Sequence, residues 1–210
     1  MQNELGNELA FRPTPLDKCL LGITLPLTKE KFFRELHDDS PKDFAKTYQQ
    51  RACSLSEQCY WKIHEKYVNL IIKVCREVEK LGVHVITDFS LAHMKAIKDY
   101  DVVTILGHWV EKCGKIELSD DIYSPDDFMN AIPNGTHCML DLTVCESVIL
   151  LQEIKKRFLG DIIVFGFTIR IKVQYWLLIY LFVIRKMKHC PSLNYLRATE
   201  QVRTEIIKSI

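Results

Sequence analysis

The sequence predicts an α/β fold, a mostly parallel sheet with helices on both faces. Three observations predict it. Short runs of apolar and β-branched residues alternate with longer segments of helical period nearly throughout the chain. Those runs, such as Val102-Val-Thr-Ile-Leu106 and Cys138-Met-Leu-Asp-Leu-Thr143, are apolar almost continuously rather than at every second residue. That is the mark of strands buried on both faces. Two of them also lead straight into residues that can do chemistry, His108 and Cys145. The carboxyl ends of strands are where open α/β sheets bind ligands.

At 210 residues the chain holds one domain with a sizeable core. Residues 51–210 read as that domain and 1–50 as an N-terminal extension or edge layer. The net charge of +1 gives no global field toward nucleic acid or an anionic membrane. No basic run is interleaved with aromatics, so no nucleic-acid partner is expected. The start, Met1-Gln-Asn-Glu-Leu-Gly-Asn-Glu8, lacks the positive charge and apolar core of a secretory signal, so the expected compartment is the cytoplasm, with reduced thiols. Eight cysteines stand at 19, 53, 59, 75, 113, 138, 145 and 190. None forms a C-x-x-C pair and none has zinc-site spacing with histidine, so neither metal nor cofactor is expected. Most read as small buried hydrophobes.

Taken in order, Phe11-Arg-Pro-Thr-Pro15 is extended and Cys19–Leu25 is a strand cut off by Pro26. Thr28 to His37 has helical spacing, with Phe32, Phe33 and Leu36 on one side. Ser54-Leu-Ser-Glu57 has capping-box spacing and opens a long amphipathic helix to Lys80, stopped by Gly82. Val83–Thr87 is a strand. Asp88 or Ser90 caps a short helix through Met94 and Ile97, and the strand ending at His108 follows. Strand, helix and strand here read as a βαβ unit. Lys115–Leu118 is a short strand. Ser124-Pro-Asp-Asp127 opens a helix with a hydroxyl cap, a first-turn proline and two carboxylates at the positive end of the dipole. After the Cys145 strand, Glu146 begins a helix ended by Gly160, and Asp161–Phe165 is one more strand. Val173–Ile184 is about two-thirds of the ~20 residues that span a bilayer and reads as a buried core helix. No stable membrane insertion is expected. Ser192 caps a last helix.

His108 and Cys145 are 145 − 108 = 37 residues apart, room for a strand, a helix and a second strand. On neighbouring strands they would share one sheet edge as a thiol nucleophile and its base. The helix after Cys145 would lower its thiol pKa and favour thiolate. On residue type alone, a buried structural cysteine and a histidine satisfied by a backbone carbonyl are the commoner outcomes. His64, His84, His93, His137 and His189 have no comparable setting and read as surface or helix residues.

The segment Asp88-Phe-Ser-Leu…Ala96-Ile-Lys-Asp-Tyr-Asp-Val-Val-Thr-Ile-Leu-Gly-His108 resembles the first catalytic block of the CHAT domain, a caspase-like and separase-like cysteine peptidase group. Leu142-Thr-Val-Cys145-Glu-Ser147 is similar to its second block, usually a strand ending Ser-Ala-Cys-Glu-Thr. Ile116-Glu-Leu…Ser124-Pro-Asp-Asp-Phe128 looks like the strand and helix between them, and Tyr175 to Val202 like the closing pair of helices. The resemblance covers roughly residues 60–210. It implies a caspase-like sheet and peptide-bond hydrolysis by a Cys–His dyad. Cys145 is then the nucleophile, His108 the general acid and base, and backbone N–H groups at Cys145 and Trp109 the oxyanion site. Trp109 departs from the pattern, which commonly has glycine after the histidine. It reads either as presenting its N–H with the ring against substrate, or as the mark of an inactive site that only binds a partner. Asp88 and Asp141 are candidates for a pocket taking a basic side chain, and strand-end capping is their ordinary alternative. Glu146 matches the residue after the family's nucleophile and reads as a first-turn carboxylate favouring the dipole. Relatives act on a dedicated protein in bacterial defence or regulated cell death. The implied partner is thus a protein substrate, such as a pore-forming protein encoded beside this chain.

Overall fold

The computed structural model describes residues 9–37, 44–51, 56–110, 113–143, 148–158, 161–166 and 172–208. Strands run β1 Cys19–Ile23, β2 His84–Thr87, β3 Val102–Leu106, β4 His108–Val110, β5 Lys115–Glu117, β6 Ile122–Tyr123, β7 Cys138–Thr143 and β8 Ile162–Gly166. Helices run α1 Lys29–His37, α2 Phe44–Arg51, α3 Glu57–Lys80, α4 Pro125–Asn130, α5 Val148–Phe158, α6 Val173–His189 and α7 Tyr195–Lys208, with a 3-10 stretch over Leu91–Asp99.

Five strands form one sheet in the order β2-β1-β3-β7-β8, and every pair in it is parallel. The α/β fold is as the sequence predicts. Because side chains alternate across a strand, β1 sends Cys19, Leu21 and Ile23 to one face and Leu20 to the other. The first face packs under α3, α6 and α7, and the second under the 3-10 stretch, α4 and α5. Both faces are covered, which is why β1, β3 and β7 are buried at every residue.

Two expectations need correction. Residues 1–50 are not an edge layer: β1 hydrogen-bonds both β2 and β3, so this region supplies an inner strand of the main sheet. β1 lies between β2 and β3, which run parallel in one sheet and are joined through the 3-10 stretch, as the expected βαβ unit requires. The last helix is capped not by Ser192 but by Asn194, whose Oδ1 accepts the Arg197 N–H at 2.8 Å. The long helix begins at Glu57, and Ser54 lies outside the described residues. It ends as expected, with Gly82 at φ 109° in the left-handed region. The Ser124 cap is present, its Oγ accepting the Asp127 N–H at 3.1 Å. In α6 Trp176, Leu177, Tyr180 and Ile184 are buried, and no helix among the described residues is long and apolar enough to cross a membrane.

Gly22 shows how closely the layers meet. A Cβ there would lie 2.6 Å from Cδ2 of Phe89, a fully buried ring. Gly22→Ala should lower the free energy of unfolding by about 1–3 kcal/mol, as overpacking does. Urea denaturation measures it.

Candidate active site at the carboxyl edge of the sheet

The strand order changes direction between β1 and β3, and in such sheets the crevice beyond the carboxyl ends at that point is the usual ligand site. Three strand ends are tied together there. The Thr24 N–H reaches the Leu106 carbonyl at 3.0 Å, and the Gly107 N–H reaches the Thr143 carbonyl at 3.4 Å. Leu106 of β3 and Thr143 of β7 are register partners. His108 lies two residues beyond the first and Cys145 two residues beyond the second. Cys145 and Glu146 lie outside the described residues.

His108 does not end β3. After Gly107 the chain turns into β4, which pairs antiparallel with β5, and β5 with β6, in a three-stranded ribbon leaving the sheet edge. Alternation along the ribbon sorts its side chains. Trp109 and its partner Ile116 belong to the second core. The indole is only 6% exposed and so is not a surface for substrate. His108 and its partner Glu117 project to the other side. There the Phe44 ring meets the imidazole edge-on at 5.5 Å between centroids. The Phe44 N–H donates to the Glu117 carboxylate, 3.0 Å from Oε2 and 3.3 Å from Oε1. Phe44 opens α2, so Glu117 sits at the positive end of that helix and accepts one of the N–H groups the helix leaves unmatched. Glu117 is 4% exposed, and its carbonyl takes the Thr24 hydroxyl at 3.3 Å.

The two aspartates part company. Asp88 follows β2 with φ 60°, and its exposed carboxylate pairs with Lys31 of α1. Its carbonyl accepts the Ser119 hydroxyl at 2.5 Å, tying the ribbon to the end of β2. Asp141 is enclosed beneath α7, where the Tyr195 hydroxyl donates to Oδ2 at 2.8 Å. Burial pushes its carboxyl up to about 7, against the opposing hydrogen bond from Tyr195. A carboxyl closed in this way does not line a pocket, so that expectation falls to Asp88 alone.

Among the other histidines, His64 is a helix residue, as expected, but on the buried face of α3. It is fully buried, stacked on Phe32 at 4.9 Å, with Nε2–H donating to the Pro26 carbonyl at 2.7 Å. Burial lowers its pKa despite that bond. The signal was its spacing: Tyr60, His64 and Val68 recur every four residues on the buried face of α3. His64 also meets Phe44, at 5.3 Å, so the Phe44 ring lies against two imidazoles.

The six described cysteines are free thiols. Cys19, Cys75 and Cys138 are buried as expected, and burial pushes each up to about 12, while Cys113 and Cys190 are exposed. No three His, Cys, Asp or Glu side chains converge as a metal site requires, among the described residues. A groove of about 400 Å³ lined by Pro15, Asp17, Gly82 and Lys188 lies at the amino ends of β1 and β2, away from His108. Compared with protein-family models, characterised proteins and solved structures, the chain matches none.

Proposed function

We propose that this chain is a caspase-like cysteine endopeptidase of the CHAT kind that cleaves a dedicated protein partner. What supports the reading above all is one register pair. Leu106 and Thr143 face each other at the ends of adjacent parallel strands, and His108 and Cys145 follow them at the same offset of two residues. Neighbouring strands are about 4.8 Å apart, and two residues of chain reach at most about 7 Å. That reach is compatible with an imidazole and a thiol meeting at one edge.

In this reading the Cys145 thiolate attacks the scissile carbonyl while backbone N–H groups at Cys145 and Trp109 hold the oxyanion. The imidazolium of His108 gives its proton to the leaving amine, and an acyl-thioester forms. Water then adds to the thioester with His108 as base, releasing the acid and restoring the thiol. Asp88, which already pairs with Lys31, is the remaining candidate carboxylate for a basic residue before the scissile bond, and such a residue would have to displace Lys31. The protein substrate, a neighbouring-gene product such as a pore-forming protein, rests on the family resemblance alone.

A second reading keeps the fold and drops the chemistry. It draws on Phe44 lying against His108 and on the buried Trp109 where relatives carry glycine. A peptide acyloxymethyl ketone probe separates the two. For the peptidase, peptide mapping should find Cys145 labelled well ahead of the exposed Cys113 and Cys190, with the preference lost in His108→Ala. Labelling that merely follows exposure would leave the binding module.

A further inference from the structure

Of the large apolar side chains that the described residues leave exposed, Tyr175 at 56%, Leu178 at 41% and Phe182 at 50% stand together on α6. Their spacing of three and four residues puts them in one row along the helix. Lys172 continues that row before Tyr175, and Arg185 and His189 continue it after Phe182, all three exposed. The row faces away from the sheet, because Trp176, Leu177, Tyr180 and Ile184 fill the core from the other side of the helix. It is apolar in the middle and basic at both ends. We propose that this row is a docking surface for an anionic lipid membrane, which α6 lies along and does not cross.

Charge is what selects this occupant. Between Asp161 and Glu200 the sequence has no acidic residue, while Lys172, Arg185, Lys186, Lys188 and Arg197 all fall within that span. The whole-chain charge of +1 conceals this local bias. Two acids reach α6 from its neighbours: Glu77 of α3 pairs with Arg185 at 3.6 Å, and Glu205 of α7 pairs with Lys186. Glu77 in turn shares its face of α3 with Lys73, Arg76 and Lys80, so cations outnumber acids beside the row as well. A second copy of the chain fits poorly. Two such rows laid against each other, parallel or antiparallel, bring basic ends together, and like charges repel. A folded partner needs about 800 Å² of shaped surface on each side, and three half-exposed side chains on one convex helix fall short of that. A bilayer needs no matching shape. Aromatic and aliphatic side chains enter its headgroup boundary while lysines and arginines meet the anionic headgroups. Each cation near such a surface strengthens binding about fivefold.

Flotation of the full chain with phosphatidylcholine vesicles, with and without an equal share of phosphatidylserine, tests the proposal. The chain should float with the anionic vesicles and stay behind with the neutral ones, and raised salt should release it. Leu178→Ser/Phe182→Ser should weaken binding about tenfold or more. Its melting temperature should stay close to that of wild type, since both side chains are exposed. Should that variant not fold, Lys73→Gln/Arg76→Gln answers instead, with about fivefold lost for each charge. No flotation with the anionic vesicles, or equal flotation with the neutral ones, overturns the proposal. So does binding that both variants leave unchanged, and so does a loss confined to the charge variant, which would mark a plain basic patch. A lipid-free chain that sediments as a dimer, and as a monomer in Leu178→Ser/Phe182→Ser, would give the face to a second copy and overturn it too. None of these measurements needs turnover, so the result is independent of the peptidase reading.

Discussion

A His108→Ala chain should cleave its best peptide substrates about 10²–10⁴-fold more slowly than the parent, the range a positioned general acid and base supplies. Cys145→Ala should remove cleavage altogether, because in the peptidase reading its sulfur is the atom that carries the acyl intermediate. The two variants test different links. Without the imidazole, the thiol loses its proton acceptor and the amine its proton donor, yet a thiolate formed at higher pH can still attack. Part of the lost His108→Ala rate should therefore return as pH rises toward the free-thiol pKa of about 8.5. No such recovery is open to Cys145→Ala. Neither variant should unfold. The contact of His108 with the Phe44 ring is of a kind that contributes about 0.5–1.5 kcal/mol. Initial rates on peptides chosen from a proteome-derived library, read beside melting temperatures, decide the matter. Full activity in either variant would end the dyad reading.

The parallel sheet was legible because its strands are buried on both faces, and a strand such as Val102–Leu106 has almost no other reason to be apolar at every residue. The helix ends were legible where a local rule acts, as at Ser124 and Gly82. What could not be read was pairing at a distance. Nothing local in Cys19–Ile23 says that it slots between β2 and β3, since that order depends on long-range packing. The environment of His108 was hidden for the same reason. Glu117 stands between the buried residues Ile116 and Leu118, so alternation sends it away from the core and toward solvent. Only the folding of α2 over that side of the ribbon, with the Phe44 N–H on the carboxylate, turns it into a buried group. Asp141 failed in the opposite sense. Its position near the end of a strand suggested a pocket, but whether such a residue faces a crevice or the underside of a helix is decided by α7, whose Tyr195 comes 54 residues later.

Asp141 also gives the fold a distinct response to pH. Burial pushes its carboxyl from an ordinary value of 3.8 up to about 7, with Tyr195, Thr143 and Arg203 pulling the other way. The folded chain therefore holds this proton more tightly than the unfolded chain between those two values. Stability rises with pH only where the unfolded state binds more protons, and here it binds fewer. The contribution is complete below pH 3.8, declines as pH rises through the window, and is gone above about 7. At about 1.4 kcal/mol per pKa unit, its full extent is up to about 4 kcal/mol. Asp141→Asn keeps an oxygen for the Tyr195 hydroxyl and cannot ionise. Against wild type, the variant should gain up to about 4 kcal/mol in relative stability between pH 4 and pH 8. Its amide NH₂ sets a constant offset that does not vary with pH. Urea unfolding of both chains at a series of pH values measures the difference. Parallel pH profiles would mean that Asp141 ionises in the folded protein as it does in water, and that the Tyr195 hydrogen bond and Arg203 offset its burial in full.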